Sequence, residues 1–215
     1  GYACARVVAR GGVDSALTLA IACDALGAER VRAVMMPTRY TAQMSLDDAS
    51  EMARRVGVRY DVIGIRPMFD AFLAALAGEF AGRPADLTEE NLQARIRGTV
   101  LMALSNKFGA MVLTTGNKSE MAVGYSTLYG DMAGGFAVIK DVAKTLVWQL
   151  SRYRNTVSDL IPENIITRAP SAELRDNQTD QDSLPPYAVL DAIVEAYMEL
   201  NRSPREIVAL GHAVA

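Results

Sequence analysis

The sequence predicts an α/β fold, a doubly wound parallel sheet with helices on both faces. Three observations predict it. Short apolar runs rich in β-branched residues alternate with longer segments of helical periodicity. Gly27, Gly57 and Gly109 each follow a helical segment, where a helix is expected to end. A glycine-rich turn at 10–15 joins the first apolar run to the first helical segment.

The length and composition allow one sizeable core. The chain has 215 residues, 50% of them hydrophobic, and we expect a single domain over 1–215. The net charge of −3 argues against a broad nucleic-acid or anionic-membrane surface, so neither partner is expected. Apolar runs stay below transmembrane length, no signal-peptide pattern is visible, and Cys4 and Cys23 suggest reduced thiols. We therefore expect a cytoplasmic protein.

The first half of the chain follows a strand–helix rhythm. Val7 and Val8 end a buried strand, and a helical stripe then runs from Ala16 to Leu26. Strands are expected at 31–36, 60–65 and 110–115, and helices at 46–56, 68–80 and 88–107. Thr88 is the expected N-cap of the long helix, with acidic residues in its first turn.

The second half is less regular. Residues 124–135 form a glycine-containing loop, and helices are expected at 141–152 and 187–200. Residues 161–186, rich in proline and aspartate, predict an irregular surface excursion. Ser203 to Glu206 form a capping box with Pro204 at the first helical position, opening a short last helix.

The glycine-rich turn is the first candidate site. Gly11 and Gly12 let backbone N–H groups face an anion at a helix N-terminus. Ser15 can donate to a phosphate, and Asp14 can hold Mg²⁺ through oxygen. The alternative is a plain strand–helix turn capped by Asp14 or Ser15. The spacing matches neither a Walker loop nor a GxGxxG motif.

A second candidate follows the strand at 110–115. Residues 113–120 lie at its carboxyl end, the edge of a parallel sheet where ligands bind. The alternative is a tight turn in which Asn117 or Ser119 caps a helix. Taken with the first turn, this segment favours a nucleotide site.

Two further segments carry polar groups with regular spacing. Asn91 and Arg95 share one helix face, where an amide and a guanidinium can hold a phosphate or a carboxylate; a solvated polar face is the alternative. Tyr125 and Tyr129, beside glycines, suit stacking on a planar ring, although a mobile loop gives the same pattern.

We expect charged side chains to carry out the catalysis. Lys140 and Lys144 are expected on one face of a helix start, where they could neutralise phosphates, unless the helix is an ordinary amphipathic one. His212 is the only histidine, which argues strongly against a Ser-His-Asp triad and a multi-histidine zinc site.

The glycine-rich turn resembles the SGGxDS pyrophosphate loop of the N-type ATP pyrophosphatases, which cut ATP between the α- and β-phosphates. Arg10 stands where that loop has its first serine. Nearly the whole chain resembles the synthetase domain of the NAD⁺ synthetase family, above all its long, glutamine-dependent form. Leu128 stands where the short, ammonia-dependent enzymes tend to have lysine. The matching segments are GGVDSAL, AVMMPTRYT, ENLQARIRG, LTTGNKSEMAVGYSTLYGDMAGGFAVIKDVAKT and RAPSAELRDNQTDQDSLPPY.

The resemblance implies an adenine nucleotide alpha hydrolase-like, Rossmann-like fold and a carbon–nitrogen ligase of NAD biosynthesis. ATP would adenylylate the carboxylate of deamido-NAD⁺, and ammonia would then displace AMP to give NAD⁺. It further implies Mg²⁺, a homodimer or higher homo-oligomer, and ammonia released from glutamine by a glutaminase domain. We expect that N-terminal domain and a basic C-terminal tail to be absent from this chain.

The resemblance also implies roles for individual residues. Asp14 and Lys144 would be catalytic, with Lys144 stabilising the transition state, and Asp14 and Glu120 would hold the metal. The ATP-binding residues would be Gly11, Gly12, Asp14, Ser15, Thr115, Lys144 and Ser171. The deamido-NAD⁺-binding residues would be Asn91, Arg95, Glu120, Tyr125, Tyr129 and Asp131.

Two other functions compete with this one. Arg10, which we expect to weaken the use of ATP, favours a nucleotide-binding module with little or no catalysis. Another pyrophosphatase-loop ligase, acting on GMP or tRNA, is the second alternative. The acidic charge balance argues against an RNA substrate.

Overall fold

In the computed structural model, residues 4–9 and 12–211 are described, and they form a parallel sheet with helices on both faces. The strand order is β3-β2-β1-β4-β5, with every pairing parallel. The predicted doubly wound fold is confirmed. The strands are β1 (Cys4–Ala9), β2 (Val31–Met35), β3 (Arg59–Val62), β4 (Ala110–Thr114) and β5 (Phe136–Ala137).

The helices follow the strands in the expected rhythm. They are α1 (Val13–Leu26), α2 (Gln43–Val56), α3 (Arg66–Leu76), α4 (Leu87–Phe108), α5 (Lys118–Ala122), α6 (Lys144–Val157), α7 (Glu163–Thr167), α8 (Tyr187–Val194) and α9 (Pro204–Ala209). Two 3₁₀ turns lie at Ala28–Arg30 and Asp180–Asp182, and a π-helical turn, Glu195–Glu199, continues α8. Within the described residues, no helix is both long and apolar enough to cross a membrane.

Successive side chains of each strand point to opposite faces of the sheet, so a core forms on each face. In β2, Ala33 and Met35 pack into the cluster formed with α1, α2, α6 and α7. Val34, between them, packs on the opposite face with the side chains of α3 and α4. Strands buried on both faces read as continuous apolar runs, which is why the sequence revealed them.

The helix ends match the glycine signals, but the start of α4 does not match its predicted cap. Gly57 and Gly109 end α2 and α4 in the left-handed conformation, at φ of 78° and 60°. Thr88 was expected to cap α4, and that prediction is wrong. Asp86 is the N-cap: its Oδ1 accepts the Thr88 N–H at 2.7 Å, and Glu89 accepts the Asp86 N–H at 2.8 Å. This capping box moves the start of the helix one residue upstream.

The helix expected at 141–152 begins later, at Lys144, and continues to Val157. Residues 140–142 lie in a turn instead, with the Val142 N–H donating to the Ile139 carbonyl at 3.0 Å. Lys140 and Lys144 therefore do not share a helix face, and that prediction is wrong. Lys140 is exposed, whereas Lys144 is buried.

Residues 161–186 were expected to form an irregular surface excursion, and that prediction is only partly right. Ile161, Ile165 and Ile166 are buried in the core cluster with α1 and α6, and they anchor the segment. Further along, Asp180 is buried as well. The three isoleucines hold the start of the segment on the core, while residues 175–177 and 181–183 stay exposed.

Candidate active site

One cleft lies at the point where the strand order reverses. β1 pairs with β2 on one side and with β4 on the other, and the cleft opens where β1 and β4 end. Its volume is about 890 Å³, including the part open to solvent. It is lined by Gly12, Val13, Asp14, Ser15, Ser45, Thr115, Gly116, Glu120, Tyr125, Asp131, Lys144, Ile165, residues 168–173 and Asp180.

The turn after β1 delivers Asp14 to this cleft. Gly12 is the N-cap of α1, with an extended backbone and no side-chain cap. Neither Asp14 nor Ser15 caps the helix, because both lie in its first turn; the Ser15 hydroxyl donates to the Gly12 carbonyl at 2.9 Å. The carboxylate of Asp14 is thereby left to contact groups across the cleft. Arg10 and Gly11 lie outside the described residues, so their roles stay predictions.

Lys144 joins the two sequence segments that end at the cleft. It is 1% exposed, at the first position of α6. Its Nζ lies 2.5 Å from an oxygen of Asp14 and 3.2 Å from an oxygen of Glu120. The ring centroids of Tyr187 and Trp148 lie 5.2 Å and 5.9 Å from the same ammonium, which adds cation–π attraction.

The ionisation of this cluster follows from burial and charge. Burial alone would lower the pKa of Lys144, but the carboxylates of Asp14 and Glu120 raise it above its ordinary value, so the side chain is a cation. Burial raises the pKa of Glu120 from 4.5 to about 7, and the neighbouring Asp14 adds to that rise while Lys144 opposes it. The cleft therefore holds a buried cation, Lys144, beside a carboxyl group that titrates near neutral pH.

The raised pKa of Glu120 predicts how the free energy of unfolding depends on pH. Between pH values of 4.5 and about 7, the folded protein keeps a proton that the unfolded chain has lost. Stability contributed by this carboxyl group therefore falls as the pH rises through that window. Urea unfolding without added metal or nucleotide, from pH 5 to pH 8, should show a flatter decline for Glu120→Gln than for the wild type.

The exposed Glu163→Gln variant serves as the matched control, since it removes a carboxylate that does not line the cleft. A wild-type protein and a Glu120→Gln variant with parallel pH profiles would contradict the assignment. A constant offset between the two is expected in addition, because the substitution also removes an ion pair.

Asn117 ties the segment after β4 to the segment after β1. Its Oδ1 accepts the Glu120 N–H at 3.0 Å and caps α5, as one reading of the sequence allowed. Its Nδ2 donates to Asp14 at 2.8 Å. The helix cap is confirmed, and the same side chain also contacts Asp14; the role of this segment in a nucleotide site stays a prediction.

Asp180 is a cleft residue that sequence reasoning missed. It is buried, and its carboxylate accepts the hydroxyl of Tyr187 at 2.7 Å and that of Tyr125 at 3.3 Å. Burial, and then the charge of Asp180, raise the pKa of Tyr125 above its ordinary value, so its hydroxyl stays protonated. An aspartate in a segment expected on the surface gave no signal for this role.

The opposite wall is formed by α2 and residues 168–173. The Ser45 hydroxyl donates to Glu173 at 2.5 Å, and the Ser171 hydroxyl accepts the Glu173 N–H at 3.1 Å. Glu173 has a φ of 52°, a strained conformation for a non-glycine residue. Ser171 was predicted from the sequence, whereas Ser45 and Glu173 were missed. The position of Ser45, soon after β2 on the same sheet edge, was the available signal.

The predicted dinucleotide residues divide into two groups. Tyr125 and Asp131 line the cleft, as Glu120 does. Asn91 and Arg95 bind the loop at 125–131 instead: Asn91 accepts the Thr127 hydroxyl at 2.7 Å, and Arg95 donates to the Leu128 carbonyl at 3.2 Å. Tyr129, in the same loop, is 75% exposed with a φ of 64°.

A magnesium ion fits the donor set of the cleft. Asp14 and Glu120 direct carboxylate oxygens at one cation, the ammonium of Lys144. Within the described residues, no group of three or more His, Cys, Asp or Glu side chains could hold a metal alone. Mg²⁺ is typically held by one or two carboxylates together with substrate phosphates, so two carboxylates suffice.

Comparisons with known proteins identify the family of the chain. The model of the NAD synthase family matches residues 6–213. A glutamine-dependent NAD⁺ synthetase of Acinetobacter baylyi is 62% identical over 203 residues, covering 94% of this chain and 38% of the relative. The corresponding protein of Thermotoga maritima is 57% identical over 203 residues, covering 94% of this chain and 35% of the relative. The chain thus spans well under half the length of these curated relatives.

Solved structures show the same fold. The glutamine-dependent NAD⁺ synthetase of Acinetobacter baumannii, in complex with ADP, is 54% identical with a TM-score of 0.77, covering 99% of this chain and 38% of that one. The NMN synthetase of Francisella tularensis is 27% identical with a TM-score of 0.83, covering 98% of this chain and 84% of that one. With a family model spanning nearly the whole length and relatives this similar, the chain belongs to the NAD synthase family.

Proposed function

We propose that this chain carries out the ATP-dependent amidation of deamido-NAD⁺ to NAD⁺. One observation carries the proposal: the buried ammonium of Lys144 joins carboxylates from the first turns of α1 and α5 at the switch point of the sheet. Cations and carboxylates at that edge suit the binding of a nucleoside triphosphate. The similarity to glutamine-dependent NAD⁺ synthetases supports the choice of acceptor.

The reaction proceeds in two steps that balance without a redox partner. A carboxylate oxygen of the nicotinate attacks the α-phosphorus of ATP, and pyrophosphate leaves. Ammonia then attacks the acyl carbon, loses a proton, and AMP leaves with the bonding electrons. The protein contributes mainly positioning and charge stabilisation, which suits a cleft without histidine among its lining residues.

The cleft residues have distinct roles in this proposal. Lys144 stabilises the negative charge that develops on the phosphates, and Asp14 and Glu120 would hold Mg²⁺. When bound, the metal neutralises phosphate charge. The hydroxyls of Ser15, Thr115 and Ser171 line the same cleft and bind ATP, together with the backbone at 11–12.

The loop at 125–131 is assigned to deamido-NAD⁺. Tyr125 and Asp131 reach the cleft from it, and Asn91 and Arg95 bind the loop from α4. Tyr129 has a strained backbone, at a φ of 64°, and strain of this kind clusters at ligand sites. In the complete enzyme, a glutaminase domain supplies ammonia, and the synthetase portions assemble into homodimers or higher homo-oligomers.

A product assay tests the proposal. The protein is incubated with ATP, Mg²⁺, deamido-NAD⁺ and ¹⁵N-ammonium, and the products are analysed by mass spectrometry. We expect ¹⁵N-labelled NAD⁺, AMP and pyrophosphate in equal amounts. ADP and orthophosphate would contradict the mechanism, and calorimetric ATP binding without turnover would favour a nucleotide-binding module.

The acceptor is tested in a parallel reaction. Nicotinic acid mononucleotide replaces deamido-NAD⁺, because one structural neighbour is an NMN synthetase. We expect a much lower rate with this shorter acceptor. A higher rate with the mononucleotide would overturn the assignment of the acceptor and leave the two-step chemistry intact.

A further inference from the structure

Asp191 lies outside the lining of the cleft, yet it contacts both segments that supply the cleft's charged residues. It is on α8 and is 8% exposed. One carboxylate oxygen accepts the Thr145 N–H at 2.8 Å, and the other accepts a short hydrogen bond from the Ser119 hydroxyl. Thr145 follows Lys144 in the chain, and Ser119 precedes Glu120.

The start of α6 depends on these two residues for its hydrogen bonds. Ala143, at the N-cap position, supplies no side-chain cap. The Thr145 N–H is instead satisfied by Asp191, and the Lys144 N–H donates to the Ser119 oxygen at 2.8 Å. The Ser119 hydroxyl thus links the Asp191 carboxylate to the backbone N–H of Lys144 through two hydrogen bonds. Free N–H groups at a helix start require such partners when they are buried.

Charge makes Asp191 suited to this place. A carboxylate near the first turn of a helix is stabilised by the helix dipole and by charge-assisted hydrogen bonds. Both oxygens are occupied, which holds α5, α6 and α8 in one arrangement. One turn earlier on α8, Tyr187 contacts the same lysine through its ring, 5.2 Å from the ammonium.

We propose that Asp191 is a positioning residue, which holds the first turn of α6 so that the ammonium of Lys144 stays between Asp14 and Glu120. This inference rests on the proposed function, because it assigns to Asp191 an effect on the chemical step. Asp191 acts through Lys144 and touches neither substrate.

The Asp191→Asn variant tests the role with little change in shape. The amide still accepts the Thr145 N–H, but it lacks the charge and cannot accept the Ser119 hydroxyl with its nitrogen. Loss of a hydrogen-bonding partner that orients a metal ligand typically costs about 10–100-fold, and we take this as the scale for a partner that orients Lys144. We expect kcat to fall within that range while the KM values for ATP and deamido-NAD⁺ change by less than about threefold.

Two further variants complete the comparison. Ser119→Ala removes the link to the Lys144 N–H but leaves the contact with Thr145, so a smaller fall in kcat is expected. Glu195→Gln is the matched control, an exposed carboxylate four residues further along the same helical segment, with unchanged kcat expected. Thermal unfolding of each variant checks that the loss does not follow from unfolding.

A double-mutant cycle separates positioning from a general structural role. In a Lys144→Met background, Asp191→Asn should cause no further loss of kcat, because its effect passes through the lysine. A crystal structure of Asp191→Asn should show the Lys144 ammonium displaced from its position 2.5 Å from Asp14. That readout does not depend on activity.

The failing outcomes are distinct. A wild-type protein that forms no NAD⁺ would overturn the proposed function, and an undisplaced Lys144 in the variant crystal would overturn the positioning role regardless. Where the wild type is active, an unchanged kcat for Asp191→Asn would overturn only the role of Asp191. The same holds if the loss of kcat in the double variant equals the product of the losses in the two single variants.

Discussion

Replacing Lys144 by methionine is expected to lower the kcat of NAD⁺ formation by about 10³-fold, the upper range for removal of one preorganised charge-stabilising group. Methionine keeps much of the length and apolar volume of the stem, so the aromatic contacts with Trp148 and Tyr187 lose mainly their cationic part. The loss is measured by mass spectrometry of NAD⁺ under saturating ATP and deamido-NAD⁺.

The same variant leaves Asp14 and Glu120 without their shared cation. Removing one partner of a buried ion pair costs about 3–5 kcal/mol, and uptake of a proton by Glu120 offsets part of that cost. The variant should therefore be less stable than the wild type, and most clearly so at high pH. Lys140→Met is the matched control, since this exposed lysine pairs only loosely with Asp141, at 3.7 Å. Wild-type turnover by Lys144→Met would contradict the proposed mechanism.

Replacing Gly98 by alanine is expected to raise the KM for deamido-NAD⁺ about tenfold and to destabilise the fold. A Cβ atom at this position would lie 2.8 Å from the Tyr129 carbonyl and 2.9 Å from the Gly130 carbonyl. Alanine improves the helix propensity of α4 by about 1 kcal/mol, whereas overpacking costs about 1–3 kcal/mol. Both contacts are to backbone, which cannot rotate away, so the cost prevails and the loop at 125–131 must shift.

Steady-state kinetics and urea unfolding of Gly98→Ala measure these two effects. The KM for ATP should stay within about twofold of the wild-type value, because the ATP-binding groups lie on other segments. Gly64→Ala is the control, since a Cβ there meets no described heavy atom within 4 Å. A Gly98→Ala variant that is more stable than the wild type, with an unchanged KM, would show that the loop does not rest on this face of α4.

The fold was predictable because its signals are local. Buried strands such as β2 read as apolar runs, and the left-handed glycines 57 and 109 end their helices as expected. The start of α4 was predicted wrongly because its capping box has Asp86 as the N-cap, upstream of the predicted Thr88. Lys140 was misplaced because the turn at 140–142 delays α6.

The cleft residues were predictable where they lie in recognisable sequence segments, as Tyr125, Asp131 and Ser171 do. Asp14, Glu120 and Lys144 lie in recognisable segments, and the structure brings them into contact. Asp180 and Asp191 were missed because their partners are remote in sequence: Asp191 contacts Ser119, and Asp180 contacts Tyr125. Such contacts are decided by tertiary packing, which no local pattern encodes.

The ion pair between Lys144 and Asp14 joins residues 130 positions apart. During synthesis, Asp14 therefore leaves the ribosome long before its partner exists, and the central pairing of β1 with β4 must also wait for distant residues. Contacts of such long sequence separation slow folding, since the loop-closure entropy is lost before the contact stabilises the chain. Nascent chains that end before Lys144 thus carry an unpaired carboxylate, and those that end before β4 leave an edge of β1 unpaired, a feature that favours aggregation.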